Sequence, residues 1–376
     1  MKVCMVVGSF PPARCGIGDY TEKLSLHLAG IGLQVYIITS ARYSSCNLPD
    51  IPNLKFCPVI NEWNFASWRT MLETIKEIGP DIVHIQYPTK EYQKSLFINF
   101  LPVWLKYGLN MKVVETIHEY TIFSYKGRIR NLINFSGSHA IISVEAGYAK
   151  EIKKLCPGIT RNFNIIHIPV SSSIPPSLMK ENELKVLRAQ LGISGEELLL
   201  SYFGFIDNHK GFDTLLQSLC ILLTRNKRVK LLVVGELDLE NNEYHRCINA
   251  LMERLGLSGK VIWTGFVEKP EMVADYLAAT DICIFPFAKG VSERNTSFLA
   301  AINQGIPIIT TSYNLEGYQR EQNVFYVEPG KPELIAEAVD RFYEIGLQRK
   351  PYRAGFSWHN MADRTLAVYM SVINNQ

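Results

Sequence analysis

The chain has no disulfide framework and no cysteine-based metal motif. Its 8 cysteines fall singly along 376 residues and no CxxC pair occurs. Cys4, Cys220 and Cys283 lie in apolar runs, where a thiol behaves as a small hydrophobe. No apolar stretch reaches the ~20 residues that a membrane-spanning helix needs. The longest candidate, Ser95 to Leu109, is interrupted by Asn99, Pro102 and Lys106. The opening Met1-Lys2-Val3-Cys4-Met5-Val6-Val7 runs directly into Gly8 without the charged and apolar regions of a secretory signal, so a cytoplasmic protein is expected. A strong charge of one sign is missing too. The net charge is +3 and no like-charged run is long enough to act as a tail, so nucleic acid is not an expected partner. No short-period repeat occurs, which argues against a solenoid.

What is present is apolar material for two packed cores, 47% of the residues. The charge is uneven: residues 1–175 carry 18 Lys+Arg against 12 Asp+Glu. Between His84 and Arg161 the excess is 11 against 5 and includes Lys90, Lys94, Lys106, Lys126, Arg128, Arg130 and Lys154. Leu96, Phe97, Phe100, Leu101 and Trp104 lie among them. Two readings stand, a surface for peripheral membrane or anionic-acceptor contact, and a packed helix with solvated lysines.

Short β-branched runs alternate with amphipathic stretches: Val3–Val7, Tyr20–Ala29, Val35–Thr39, then Ile82–Gln86, Val113–Ile117, Ala140–Val144 and Asn164–Ile168. That rhythm is βαβα and predicts a parallel sheet covered by helices. It restarts after the proline-bearing Ser171–Pro176, with strands expected at Leu198–Phe203, Lys230–Val234, Val261–Thr264, Ile282–Phe285 and Pro307–Thr310. The fold class is therefore α/β, two doubly wound domains whose ligand groups belong at the carboxyl ends of the strands, facing a central cleft.

Three loops carry candidate chemistry. Gly8–Tyr20 contains Gly16-Ile17-Gly18, a weak dinucleotide fingerprint, since Thr21 replaces the third glycine and Thr39-Ser40 supplies no ribose-binding acid. It reads either as a loop letting backbone N–H groups approach an anion or sugar, or as a plain βα turn. Gly204–Gly211 leads through Lys210-Gly211 into a helix, setting a positive charge beside helix N–H groups, which suits phosphate, or else it is a polar loop with one solvated lysine. Phe285–Pro307 holds Glu293, Arg294, Asn295, Thr296 and Ser297 around a helix start, with Asn295 or Ser292 as cap and Gly305 as stop. A guanidinium, two hydroxyls and N–H groups there form a diphosphate cradle, or else merely a capped helix with a solvated arginine. His84 lies inside its strand and reads as a core histidine. His118 falls at a strand end, where ligand contact and burial are both open.

In order and spacing these segments resemble the family 4 retaining glycosyltransferases of the GT-B fold, over essentially the whole chain. The matching pieces are the glycine loop Pro11–Gly18, Asp81-Ile82-Val83-His84, Thr116–His118, Gly204–Gly211, Val234-Gly235, Thr264–Val267, Ala278–Ile282, Gly305-Ile306-Pro307 and the closing Phe356-Ser357-Trp358. The resemblance implies two Rossmann-like domains: residues 1–172, completed by a helix over 357–376, on the acceptor side, and 173–356 binding a nucleotide sugar. It implies a hexose or amino-hexose moved from a nucleoside diphosphate, UDP being the expected one, with retention. The acceptor is a hydroxyl on a sugar, a lipid-linked sugar or a small molecule, in glycan biosynthesis. It assigns Lys210 and Arg294 to the diphosphate, Glu236 with Gly265, Phe266 and Val267 to the nucleoside, His118 to the donor sugar, and Gly16 and Gly18 to the same cleft. No cofactor and no obligatory metal are implied. The sequence departs from the family at Phe205, where arginine is usual, and at Ser292 and Ala300, where paired glutamates are usual. Glu293 and Arg294 stand beside the first gap. The missing glutamates leave one rival, a silent sugar-nucleotide-binding protein; another is a GT-B sugar-nucleotide epimerase, which would need acid/base carboxylates or histidines deep in the cleft, and few candidates occur.

Overall fold

A computed structural model describes residues 1–13, 15–46, 48–92, 95–120, 125–155, 164–350 and 357–374. The chain forms two compact units, Met1–Ser171 with Gly355–Gln376, and Ser172–Ala354.

In the first unit, strands β1 (Lys2–Val6), β2 (Gln34–Ser40), β3 (Leu54–Ile60), β4 (Ile82–Tyr87), β5 (Val113–Ile117), β6 (Ala140–Ser143) and β7 (Asn164–His167) form a sheet in the order β3-β2-β1-β4-β5-β6-β7. Among the described residues every pairing in this sheet is parallel, and β1 joins β2 on one side and β4 on the other. Strand order reverses between β1 and β4, where such sheets place their ligands. β4 and β5 are buried throughout, because helices cover both faces of a parallel sheet. The C-terminal helix Trp358–Asn374 belongs to this unit and packs on the helix Gly16–Gly30, burying Met361, Val368 and Tyr369. Each large apolar side chain so covered contributes about 1.5–3 kcal/mol.

The second unit repeats the plan with β8 (Leu198–Phe203), β9 (Val229–Val234), β10 (Val261–Trp263), β11 (Ile282–Phe285), β12 (Ile308–Thr311), β13 (Gly317–Gln319) and β14 (Val324–Val327), ordered β10-β9-β8-β11-β12-β14-β13. Only the edge pairing of β13 with β14 is antiparallel among the described residues. Leu215, Leu219 and Leu222 of the helix Phe212–Thr224 face β8 and β9 across the core. Here the order reverses between β8 and β11.

The sequence pattern missed β3, β13 and β14. Pro58 lies inside β3, which survives because β3 is an edge strand and needs no second ladder of hydrogen bonds. β13 and β14 are three and four residues long, too short for a period to show. The interleaved stretch Ser95–Leu109 is also not one surface. It forms the helix Phe97–Val103 and a wide turn Trp104–Gly108; Phe97 and Leu101 are buried, whereas Phe100 (40% exposed) and Trp104 (48%) face outward. Lys106 bends back to the Ser136 and Ser138 carbonyls. Lys94 and the Lys126 side chain lie outside the described residues.

Candidate active site

In the second unit the loop after β8 and the loop after β11 are laced together. The Ala288 amide donates to the His209 carbonyl at 3.0 Å, and a Cβ placed on Gly204 would come into van der Waals contact with Ser297. Gly211 adopts φ +65° directly against the Pro286 carbonyl, so a Cβ there would overlap it. That glycine brings the helix Phe212–Thr224 up to the reversal point, with Lys210 just before it. The Lys210 ammonium rests 5.1 Å from the Phe287 ring centroid. Its pKa is lowered, first by burial and further by the Arg294 charge, against the opposing pull of Asp207. Two cations from two loops are thus held near each other at the point where the strand order reverses.

The helix Thr296–Asn303 corrects one expectation. Asn295 occupies its N-cap position without capping it. Its Oδ1 turns back to accept from the Ser292 amide at 2.6 Å and the Ser292 hydroxyl at 3.2 Å. The hydrogen bonds stabilise the turn before the helix and leave the first-turn N–H groups of Ser297 and Phe298 without a side-chain cap. Arg294 precedes the cap and lies outside the helix's first turn. The helix Phe212–Thr224 likewise has no side-chain cap. Two helix N-termini with uncapped N–H groups and two cations are groups able to cradle an anion. Thr296 and Glu293 are exposed, Ser297 is half-buried, and Ala300 is fully buried. Ser292 and Ala300 therefore put no carboxylate at this edge.

Gly235 follows β9 so closely under Gly204 that a Cβ would crowd the Gly204 carbonyl at 2.7 Å. Glu236 comes next and is exposed. Gly265, Phe266 and Val267 follow β10, with Phe266 48% exposed. Since β10, β9, β8 and β11 are neighbours, these residues and the cradle share the carboxyl edge of four adjacent strands.

In the first unit, Gly18 packs its Cα against the Ser9 carbonyl, where a Cβ would approach to 2.9 Å, whereas Gly16 has open space. Both begin the helix Gly16–Gly30, which has no side-chain cap. His118 follows β5 and is 7% exposed. Its Nε2 donates to Gln86 Oε1 at 2.8 Å and its ring meets the Tyr20 ring edge-on at 4.6 Å. Burial lowers its pKa to about 3, so the ring is neutral at physiological pH. His84 is a core histidine, bonded to the Tyr369 hydroxyl and to Thr116 Oγ1. Sequence reasoning overlooked Gln86 and Phe287; both sit in apolar-looking runs, and neither has a signal without the fold.

Comparison with known proteins decides what these edges belong to. Residues 197–344 match the family described as Glycosyl transferases group 1. The α-monoglucosyldiacylglycerol synthase of Streptococcus pneumoniae is 23% identical over 333 residues, which cover 82% of this chain and 70% of that protein. The chain is a glycosyltransferase of the GT-B fold. Among solved structures, sucrose-phosphate synthase from Thermosynechococcus elongatus superposes on this GT-B glycosyltransferase with TM-score 0.74 at 17% identity, covering 100% of each chain. Anabaena Alr3699/HepE, crystallised in complex with UDP-glucose, gives TM-score 0.69 at 16% identity over 99% of this chain and 98% of that one. The matched family segment lies within the second unit, the one that holds the two-cation cradle.

Proposed function

We propose that this glycosyltransferase moves a hexose or amino-hexose from a UDP-sugar to a hydroxyl acceptor with retention of configuration. The observation that carries the reading is the cradle of Lys210, Arg294 and two uncapped helix N-termini at the reversal point of the second unit. As the glycosidic bond breaks, negative charge grows on the departing diphosphate. Fixed cations and N–H groups stabilise it without reorganising. A departing phosphate oxygen then takes the acceptor proton, so acceptor and leaving group share one face of the sugar and configuration is kept. Such a cradle needs no metal. The Anabaena structure with UDP-glucose supports the choice of UDP. In this scheme the second unit binds the donor through Glu236, Gly265, Phe266 and Val267 on the nucleoside side. The first unit carries Gly16, Gly18 and His118, the last facing the donor sugar.

A lipid acceptor and peripheral contact with a bilayer are part of the same reading. Phe65, Trp68, Phe100, Val103 and Trp104 line an apolar groove of about 530 Å³ on the first unit. Exposed Trp and Phe sit well at the headgroup level of a bilayer, and the Streptococcus relative is named for a diacylglycerol product. Among the described residues no helix is long and apolar enough to cross a membrane.

The test is UDP release from a panel of UDP-sugars, with and without lipid acceptors, beside thermal shift with UDP, GDP and ADP. One specific observation keeps a second reading, a silent binding protein: Ala300 is buried and Ser292 is tied to Asn295, so the usual paired carboxylates are missing. UDP stabilisation without turnover on any acceptor or water would favour it.

A further inference from the structure

Beneath His118 a chain of buried side chains runs through the first unit. Gln86 and His84, both 0% exposed, stand two residues apart on β4 and so point to the same face of the sheet. Gln86 Oε1 accepts from His118 Nε2 at 2.8 Å. Gln86 Nε2 faces His84 Nε2 at 3.3 Å and Met5 Sδ at 3.6 Å. His84 Nδ1 is 2.6 Å from the hydroxyl of Tyr369, which is 0% exposed on the C-terminal helix.

The orientation of the amide follows from its neighbours. A thioether sulfur accepts and never donates, so the amide NH₂ belongs on the Met5 and His84 side and the oxygen on the His118 side. An amide oxygen only accepts. Neutral His118 must therefore carry its proton on Nε2, leaving Nδ1 as a bare acceptor. An amide NH₂ only donates, so His84 Nε2 is bare, takes the Thr116 hydroxyl proton as well, and keeps its own proton on Nδ1 for the Tyr369 oxygen. The proton on one histidine thereby fixes the proton on the other. Among the described residues His118 Nδ1 has no hydrogen-bond partner.

We infer that Gln86 is a positioning residue: with His84 and Tyr369 it holds His118 in one ring orientation and one tautomer, presenting Nδ1 to a hydroxyl of the donor sugar. The inference rests on the reading that His118 faces that sugar. Reversing any member reverses the rest. If His84 moved its proton to Nε2, it would confront the amide NH₂. The amide would then flip, and His118 would move its proton to Nδ1, turning an acceptor for the sugar into a donor.

The experiment is long-range ¹H–¹⁵N correlation on the ¹⁵N-histidine-labelled full chain, which separates protonated from bare ring nitrogens, with His118→Asn to assign the signal. The wild type is expected to show Nε2–H and bare Nδ1 on His118. Tyr369→Phe deletes one hydroxyl and little volume. It is expected to move part of the His118 population to Nδ1–H, a change that a purely packing role for Tyr369 would not cause. Gln86→Met is expected to remove the hydrogen-bonded Nε2–H signal. It should lower kcat for UDP release from UDP-glucose about tenfold, because a misplaced group costs rate, with the Kd of UDP, which has no sugar, unchanged within about twofold. Nδ1–H in the wild type, or His118 signals indifferent to Tyr369→Phe, would overturn the relay. This arm needs no substrate. Signals that change as expected with kcat unmoved in both variants would overturn the positioning role through its premise, the contact of His118 with the sugar.

Discussion

Lys210→Ala separates a phosphate-binding lysine from a structural one. The ammonium lies over Phe287 and is repelled by Arg294. In the ligand-free protein, its removal loses a cation–π contact of about 0.5–1 kcal/mol and the attraction of Asp207, and relieves the burial cost of the ammonium and the repulsion of Arg294. Losses and reliefs oppose one another, so the melting temperature without ligand should stay within about 2 °C. With a diphosphate in the cradle the balance differs. One unit charge about 4 Å away is worth about 4 kcal/mol at an effective dielectric constant of about 20. Part of that acts in the bound donor and part only as leaving-group charge develops. Turnover with UDP-sugar should fall on the order of 10²–10³. The Kd of UDP should weaken about tenfold, which removes about 3–6 °C of the melting shift at saturating UDP. Arg294→Ala should act in the same direction. The assays are scanning fluorimetry with and without UDP, and UDP release. If both variants turn over like the wild type and shift fully with UDP, the cradle is not where the diphosphate binds. A large drop in the ligand-free melting temperature with a normal UDP shift would make Lys210 structural.

Glu115 is buried against Asn134 and Ser138, and burial pushes its pKa up to about 8 from an unfolded value of 4.5. The folded state holds the extra proton, so stability falls as pH rises from about 4.5 to 8 and levels off above. Glu115→Gln should add about 1–3 kcal/mol at pH 8 and almost nothing at pH 4.5, read from urea midpoints; equal effects at both would refute the shift. Activity should survive EDTA, because at the proposed site Lys210, Arg294 and helix N–H groups would neutralise the diphosphate unaided; complete loss restored by Mg²⁺ or Mn²⁺ would contradict that site. Phe100→Ser with Trp104→Ser changes only outward side chains. Co-sedimentation with vesicles should fall at least fivefold while folding is kept, since each exposed aromatic inserted contributes more than about 1 kcal/mol; unchanged binding would remove the membrane reading.

The alternation of strands and helices was legible because parallel strands buried on both faces must be continuous apolar runs: Val113–Ile117, Leu198–Phe203 and Ile282–Phe285 are strands with those bounds. Edge strands need only one partner and one covered face, so β3, with its proline, left no such signal. Loop composition likewise singled out candidates to meet an anion, since a lysine beside a glycine at a helix start sets a charge near helix N–H groups. What it left open were contacts between residues far apart in sequence. That Lys210 and Arg294, 84 positions apart, influence each other depends on β8 and β11 being neighbours in the sheet. That Asn295 bonds backward to Ser292 instead of capping its helix depends on local angles that residue type does not specify. Gln86 shows the limit most plainly. In the sequence it is one polar residue in an apolar strand, and only the fold sets it between His84 and His118, because side-chain direction on a strand is fixed by register against neighbours that the strand does not encode.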